Sequence, residues 1–543
     1  MNKDGISVDD YHRRSKHSLQ KYAQGPDGLD WDTQPDPFRD FTGSPRFSLP
    51  LPAKNLLVDY NDLYYQQTSI TPTILDQNTL GALFELSMAL SAWKVYGKER
   101  WALRVNPSSG NLHPTEAYLV FAGTNIIPAG VYHYHSHDHC LEQRCHLKPQ
   151  GEALTPILAN NRFLIGLSSI YWREAWKYGE RAYRYCQHDV GHAIAAIRYA
   201  AAVLGWQVDL LDQYSGHQVA TLLGLDRHQD FDTAEKETPD VLLQIKISEN
   251  INPLDINSLI KLTNNAEWKG KANCLSHDNR IHWDIIDRID NTCITPETEI
   301  QHWTPADLPT LAQCDTDFDA SSIIRQRRSA QALDPRAELS LTKFYRILDT
   351  LLPRINVPPF DALNWKPRIH LVLFVHRVEG LKPGLYVFTR SESGILLLKQ
   401  NMRTEFDWSR PPICPESLPL YHLVSANSQN AARTVSCHQA IASDGAFSVS
   451  MIAEYNEYVT EKPWLYKQLF WEAGMIGQSL YLEAEAAGIR ATGIGCYFDD
   501  AVHEILGIKD TTLQVVYHFT VGTPVMDTRL ISLPPYGHLN KDK

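Results

Sequence analysis

Apolar residues recur at helical spacing through AYRYCQHDVGHAIAAIRYAAAVLG (Ala182–Gly205) and stop at a glycine, which predicts one long helix. LYKQLFWEAGMIGQSLYLEAEAAG (Leu465–Gly488) has the same pattern and predicts a second. Each is followed by a short segment and a further helix ending at Leu-Gly. Upstream of each stands a continuous apolar run, HPTEAYLVFAG (His113–Gly123) and KPRIHLVLFVH (Lys366–His376), as a buried strand requires. Both runs pass through a turn into another strand, AGVYHY and PGLYVF, so each pair predicts a hairpin.

The two long-helix stretches align without a gap. A constant shift of 283 carries Tyr183 onto Tyr466, Arg184 onto Lys467, Asp189 onto Glu472, Gly191 onto Gly474 and Gly205 onto Gly488. It continues through Tyr214 and Tyr497, Val219 and Val502, and Leu223-Gly224 and Leu506-Gly507. An internal repeat of this length predicts two copies of one α+β unit. We therefore expect a polar N-terminal extension at 1–45, a first domain at 46–247, a connector at 248–320 and a second domain at 321–533. The connector is polar with dispersed prolines, and its Trp268, Trp283 and Trp303 predict partial order. Two copies in one chain imitate a homodimer.

Composition narrows the partners. Hydrophobic residues at 43% and charged residues at 21% suit a globular chain, and its 543 residues suit more than one domain. A net charge of -12 disfavours nucleic acid and anionic membrane surfaces, leaving a small molecule or peptide as the expected partner. The nine cysteines show no CxxC spacing and read as reduced thiols. No apolar segment suits export or membrane spanning, which makes the cytoplasm the expected compartment.

The chemistry is expected where the copies differ. IIRQRRSAQALDP (Ile323–Pro335) places Arg327 and Ser329 just before an amphipathic helix, either as a phosphate clamp or as a solvated basic loop. Gly493-Ile494-Gly495 offers bare backbone N–H groups and close approach to a flat ligand, or a simple strand entry; the first copy has Leu210, Leu211 and Asp212 instead. The loop Asn106–Tyr118, NPSSGNLHPTEAY, has no counterpart in the second copy, where FDALNW precedes Lys366. If the copies pack face to face, Arg327, Ser329, the glycine loop and Ser108–His113 would share one site, sized for a flavin mononucleotide (FMN). His133, His135, His137 and His139 alternate in YHYHSHDHC; with no accompanying ligand set at zinc spacing, no metal is expected there. No GxGxxG follows a strand, and no Walker motif is present.

These residues resemble the nitroreductase-like flavoproteins, specifically the tandem SagB/ThcOx type. The resemblance implies two fused FMN-dependent α/β sandwich domains forming an intramolecular pseudo-dimer. It implies that Arg327 and Ser329 hold the FMN phosphate and that Pro107, Ser108, Ser109, Gly110, Asn111 and His113 contact the isoalloxazine, with Gly493, Ile494 and Gly495 near flavin N5. Gln331 stands where the family often has a basic residue, and Arg529 is similar to a position that supplies another cation. Arg13-x-Ser15 in YHRRSKHS echoes the clamp, but its distance from the first helix favours a structural strap. Lys177 and Tyr178 match the family's catalytic Lys-Tyr pair and would move a proton with a lowered pKa as hydride leaves for the flavin; a surface Lys beside a packing Tyr is the plain alternative. The implied activity is FMN-dependent dehydrogenation of a small molecule or peptide azoline. NAD(P)H-dependent reduction of a nitroaromatic or quinone, and a flavin-binding docking subunit of a peptide-modifying complex, remain open, as does assembly into a homodimer.

Overall fold

The computed structural model describes residues 5–65, 70–147, 158, 161–248, 253–276 and 281–540. Two antiparallel sheets dominate. Across the first, the strands run in the order Glu267–Trp268, Cys140–His146, Gly130–His135, Thr115–Phe121, Arg162–Ser169, Thr238–Lys246 and Gln207–Leu211, with Arg46–Ser48 also on Cys140–His146. Across the second, the order is Leu420–Ser425, Gly384–Phe388, Ile369–Val375, Phe447–Glu454, Leu513–Gly522 and Arg490–Ile494. The two hairpins read from the sequence are Thr115–Phe121 with Gly130–His135 and Ile369–Val375 with Gly384–Phe388.

The strand sequences are continuously apolar because helices cover both sheet faces. Successive strand residues point to opposite faces. Leu119 and Phe121 join a large central core with both long helices, while Tyr118 and Val120 pack outward with Val219, Leu222 and Leu223 of the helix Gly216–Leu223. In the second sheet Leu371 and Leu373 face the same central core, and Val372 and Phe374 pack with Val502 and Leu506 of the helix Asp499–Leu506. One core thus holds both sheets together, with a satellite core outside each.

The long helices are Ala182–Val203 and Tyr466–Ala486. Positions related by the 283 shift are also alike in conformation: Gly205 and Gly488 have φ of 71° and 74°, and Gly224 and Gly507 have φ of 74° and 80°, the left-handed stop that glycine allows. The helices cross where Gly191 and Gly474 meet. A Cβ on Gly191 would run into the Trp471 carbonyl, and one on Gly474 into the His188 carbonyl. Tyr183 and Tyr466, also shift-related, lie parallel at 6.5 Å between ring centroids.

Chain ends and connector close around this frame. The helix Val8–Arg14 fastens to both halves: Tyr11 donates to the Glu180 carbonyl at 2.8 Å, and His12 hydrogen-bonds Tyr466 and Gln514. Arg13 is exposed on Asp10 and Ser15 is buried, so this segment is a strap, with its arginine turned away from any clamp. In the connector, Glu267–Trp268 extends the first sheet and Lys271–Ala272 pairs with Phe41–Thr42. A third, small sheet joins Leu90–Tyr96 to Glu99–Arg104 and, on its other side, to Ile531–Leu533 from near the C-terminus.

Candidate functional site

Between the halves lies a cavity of about 480 Å³. Pro107, Ser108, Ser109, Gly110, Asn111, His113, Tyr178, Arg327, Ser329, Gln331, Gly493, Ile494 and Gly495 all line it, so segments far apart in sequence converge. Arg529 does not join them. It is exposed, its guanidinium held by Asp527 two residues away and stacked 5.5 Å from the Tyr96 ring, because that local ion pair captures it in solvent.

Arg327 ends the helix Ala320–Gln326, whose Asp319 cap fixes the start. Its Nη2 donates to the Arg104 and Val105 carbonyls, each at 3.2 Å, and its guanidinium sits 4.8 Å from the Tyr481 ring centroid. Nε and Nη1 are buried without a hydrogen-bond partner among the described residues. Burial pulls this guanidinium down from its ordinary range, and burial with the charge of Arg327 pulls Arg328 to about 10. Lys94 and Arg490 add further positive charge to the same lining. Unsatisfied donors on a buried cation are costly without an anion. A phosphate fits this end of the cavity.

Ser329 shares a hydrogen bond with Tyr481, whose hydroxyl accepts from the Gly493 amide at 3.0 Å. Ala330 N donates to the Ala491 carbonyl, pinning the clamp segment to the strand Arg490–Ile494. The two loop glycines also have a packing reason. A Cβ at Gly493 would strike the Tyr517 hydroxyl and one at Gly495 the Tyr185 ring, so aromatic packing from within the chain excludes side chains there.

The loop before Thr115–Phe121 holds three left-handed residues, Gly110, Asn111 and His113. Asn111 tolerates this conformation and is anchored by donation to the Ala102 carbonyl at 2.9 Å, while its Oδ1 meets His113 Nε2 at 3.0 Å. Ser108 Oγ accepts from His113 N at 2.8 Å, and Ser109 N donates to Asp189 on the first long helix at 3.2 Å. A Cβ at Gly110 would lie 2.5 Å from Tyr178 Oη and 3.2 Å from Lys177 Nζ, which places both groups directly against this loop.

Lys177 and Tyr178 end the helix Tyr171–Tyr178, stopped by Gly179 at φ 54°. Burial and the nearby Glu174 raise the Tyr178 pKa well above the ordinary phenol value, opposite to the expected lowering, so Tyr178 keeps its proton. Beneath them, Glu174 has both carboxylate oxygens buried and unpartnered among the described residues; burial and Asp189 raise its pKa strongly. Asp189 is raised to about 7 by burial, against the hydrogen bonds from Ser108 and Ser109. These carboxyl groups, Arg328 and Tyr481 escaped sequence reading, because an isolated Asp or Tyr inside a helix pattern carries no signal of its position.

The cavity position aligned with the glycine loop is closed in the other half. Leu210 is buried, and Asp212 accepts from Asn364 at 2.6 Å and Gln468 at 3.1 Å. Among the alternating histidines, His133 is held by Glu116 and Glu142, which against the effect of burial keep it charged with a pKa of about 9.

The Nitroreductase family model matches residues 429–523, the stretch containing the second long helix and the strands that carry the glycine loop. No curated protein sequence matches the chain. Among solved structures, a protein assigned as a nitroreductase from Anabaena variabilis superposes with TM-score 0.67 at 21% identity, covering 95% of this chain and 99% of that one. The Escherichia coli microcin synthetase McbBCD complex with truncated pro-MccB17 bound is also found, with TM-score 0.26, 16% identity and coverage of 46% and 90%. No described helix is long and apolar enough to cross a membrane. Residues 429–523 are thus similar to the Nitroreductase family model, and nearly the whole chain shares its fold with the Anabaena structure.

Proposed function

We propose that this chain is an FMN-dependent oxidoreductase of the SagB/ThcOx type, an intramolecular pseudo-dimer with one working site, which dehydrogenates a small molecule or peptide azoline. The observation carrying the proposal is Arg327, buried with two unpartnered donor nitrogens at one end of a cavity whose other wall is the Ser108–His113 loop. Arg327 and Ser329 would hold the phosphate, with Arg328 and Lys94 adding charge. Ser108, Ser109 and Asn111 would meet the polar edge of the ring system. When bound, FMN supplies a two-electron acceptor for hydride.

The chain's own part is proton handling and exclusion of water. Tyr178, which keeps its proton, donates a hydrogen bond to the substrate and orients it. Lys177 Nζ, beside Gly110, takes the proton lost from one substrate carbon as hydride leaves the adjacent carbon, so that a carbon–carbon double bond forms between them. Burial favours the neutral forms of Glu174 and Asp189 beneath this pair, which keeps uncompensated negative charge out of that wall. The meeting of Gly191 with Gly474 and of Tyr183 with Tyr466 supports the pseudo-dimer, because shift-related residues contact each other in an isologous interface.

The test is flavin stoichiometry of the purified chain with Arg327→Ala and Asn111→Ala. One FMN per chain, lost or weakened at least about tenfold in both variants, is expected; a tenfold loss is about 1.4 kcal/mol. Two per chain would overturn the single site, and none after reconstitution would overturn the oxidoreductase. With flavin retained, Lys177→Ala should abolish azoline oxidation while leaving dithionite reduction of the flavin intact.

A further inference from the structure

The histidine-rich hairpin carries chemistry that the cavity does not use. Past His133 and His135 the chain turns, and His137 and Asp138 stand on that turn, about one-third exposed. His137 Nδ1 lies 2.6 Å from Asp138 Oδ1. The other oxygen, Oδ2, is held by Arg46 at 2.8 Å, which orients the carboxylate.

The segment near the C-terminus completes the group. Tyr536 is buried, its hydroxyl accepting from Leu90 N and donating to the Ser136 carbonyl, each at 2.9 Å. Two residues on, His538 Nε2 donates to the His137 carbonyl at 2.9 Å. That bond fixes the tautomer, so Nδ1 carries a lone pair, and Nδ1 is buried without a hydrogen-bond partner among the described residues. The His137 and His538 rings lie 4.4 Å apart, and the ligand atoms of His137, Asp138 and His538 fall within 4.8 Å of one another. No sequence spacing links these histidines to His538, which lies about 400 residues away.

We infer that His137, Asp138 and His538 bind a divalent transition-metal ion of the Zn²⁺ class. Two imidazoles and a carboxylate are a borderline-soft donor set for such an ion, with a fourth position left to water. Outer partners are already in place: the His137 carbonyl on His538 Nε2, and Arg46 on Asp138. Partial exposure gives the ion an entry path.

The ion would fasten a wall of the cavity. The strand Ile531–Leu533 precedes His538 and pairs with Leu90–Tyr96, where Lys94 Nζ donates to Ser532 Oγ at 2.6 Å; Lys94 and Ser532 both line the cavity. Metal bound at the turn therefore holds residues 531–540 against the first half.

The full chain, stripped of metal by chelator, is titrated with Zn²⁺ by calorimetry and with Co²⁺ followed in the visible spectrum. One equivalent of each should bind, with His137→Ala and His538→Ala each weakening it at least about tenfold and His217→Ala, an exposed histidine elsewhere, leaving it unchanged. Circular dichroism checks folding, and His538→Gln replaces any variant that fails. Zn²⁺ should also slow amide exchange across 531–540 in the unsubstituted chain and not in the His538 variant. Absence of a bound equivalent, or binding that survives both substitutions, overturns the inference, and neither readout depends on flavin.

Discussion

Cys496 follows the glycine loop and lines the cavity. A hydrogen bond from the Cys437 thiol, joined by one from His17, holds it down to about 5 in spite of burial. A thiolate at neutral pH is the reactive form of cysteine. Iodoacetamide at pH 7 should therefore modify Cys496 faster than Cys274, which is exposed but has no such donor among the described residues, and Cys437→Ala should move the pH midpoint of labelling upward; peptide mass mapping reads both. Asp189 shows the opposite effect. Its folded pKa of about 7 stands above the ordinary carboxylate value, so the folded state holds the extra proton and this stability is lost as pH rises through 7. Asp189→Asn keeps an acceptor for Ser109, and its gain in melting temperature should be larger at pH 8 than at pH 5. An equal gain at both would show that the carboxyl is not the titrating group.

At the scale of elements, the helix crossing is the most constrained contact. Gly191→Ala or Gly474→Ala would put a methyl group into a backbone carbonyl of the opposite helix, and overpacking of this kind costs about 1–3 kcal/mol or more. Denaturant unfolding should show that loss in each, whereas Gly488→Ala meets nothing within 4 Å and should show only the smaller cost of its left-handed φ. Much of this architecture was legible because both long helices and their glycine stops obey one shift, each with a hairpin upstream, and a repeated pattern exposes periodicity that a single copy obscures. The reason for each glycine was less legible. Sequence shows that Gly493 and Gly495 lack side chains; only packing shows that Tyr517 and Tyr185 take that space. Arg529 was misplaced because motif similarity fixes chain position and leaves side-chain direction to the local partner, here Asp527. The His538 contact was invisible for a related reason: no spacing rule connects a turn to a segment some 400 residues onward.

At the scale of the molecule, the cavity draws on segments from Lys94 to Ser532, and no helix or strand is described between Thr295 and Pro309. A protease nick confined to residues 296–306 should leave the two pieces together on size exclusion and the flavin in place, because the shared core and the paired long helices hold them without the peptide link. Separation of the pieces on nicking, with flavin lost, would show that the covalent connection carries the assembly. The strand Ile531–Leu533 gives a different kind of consequence when set against the direction of synthesis. Leu90–Tyr96 leaves the ribosome early and waits with one edge unpaired until more than four hundred further residues have been made. The cavity has no nascent form. It acquires its last wall only after both sheets exist, so capture of a ligand must follow translation of Leu533, and a message truncated before that codon would yield two well-packed sheets around an open trough.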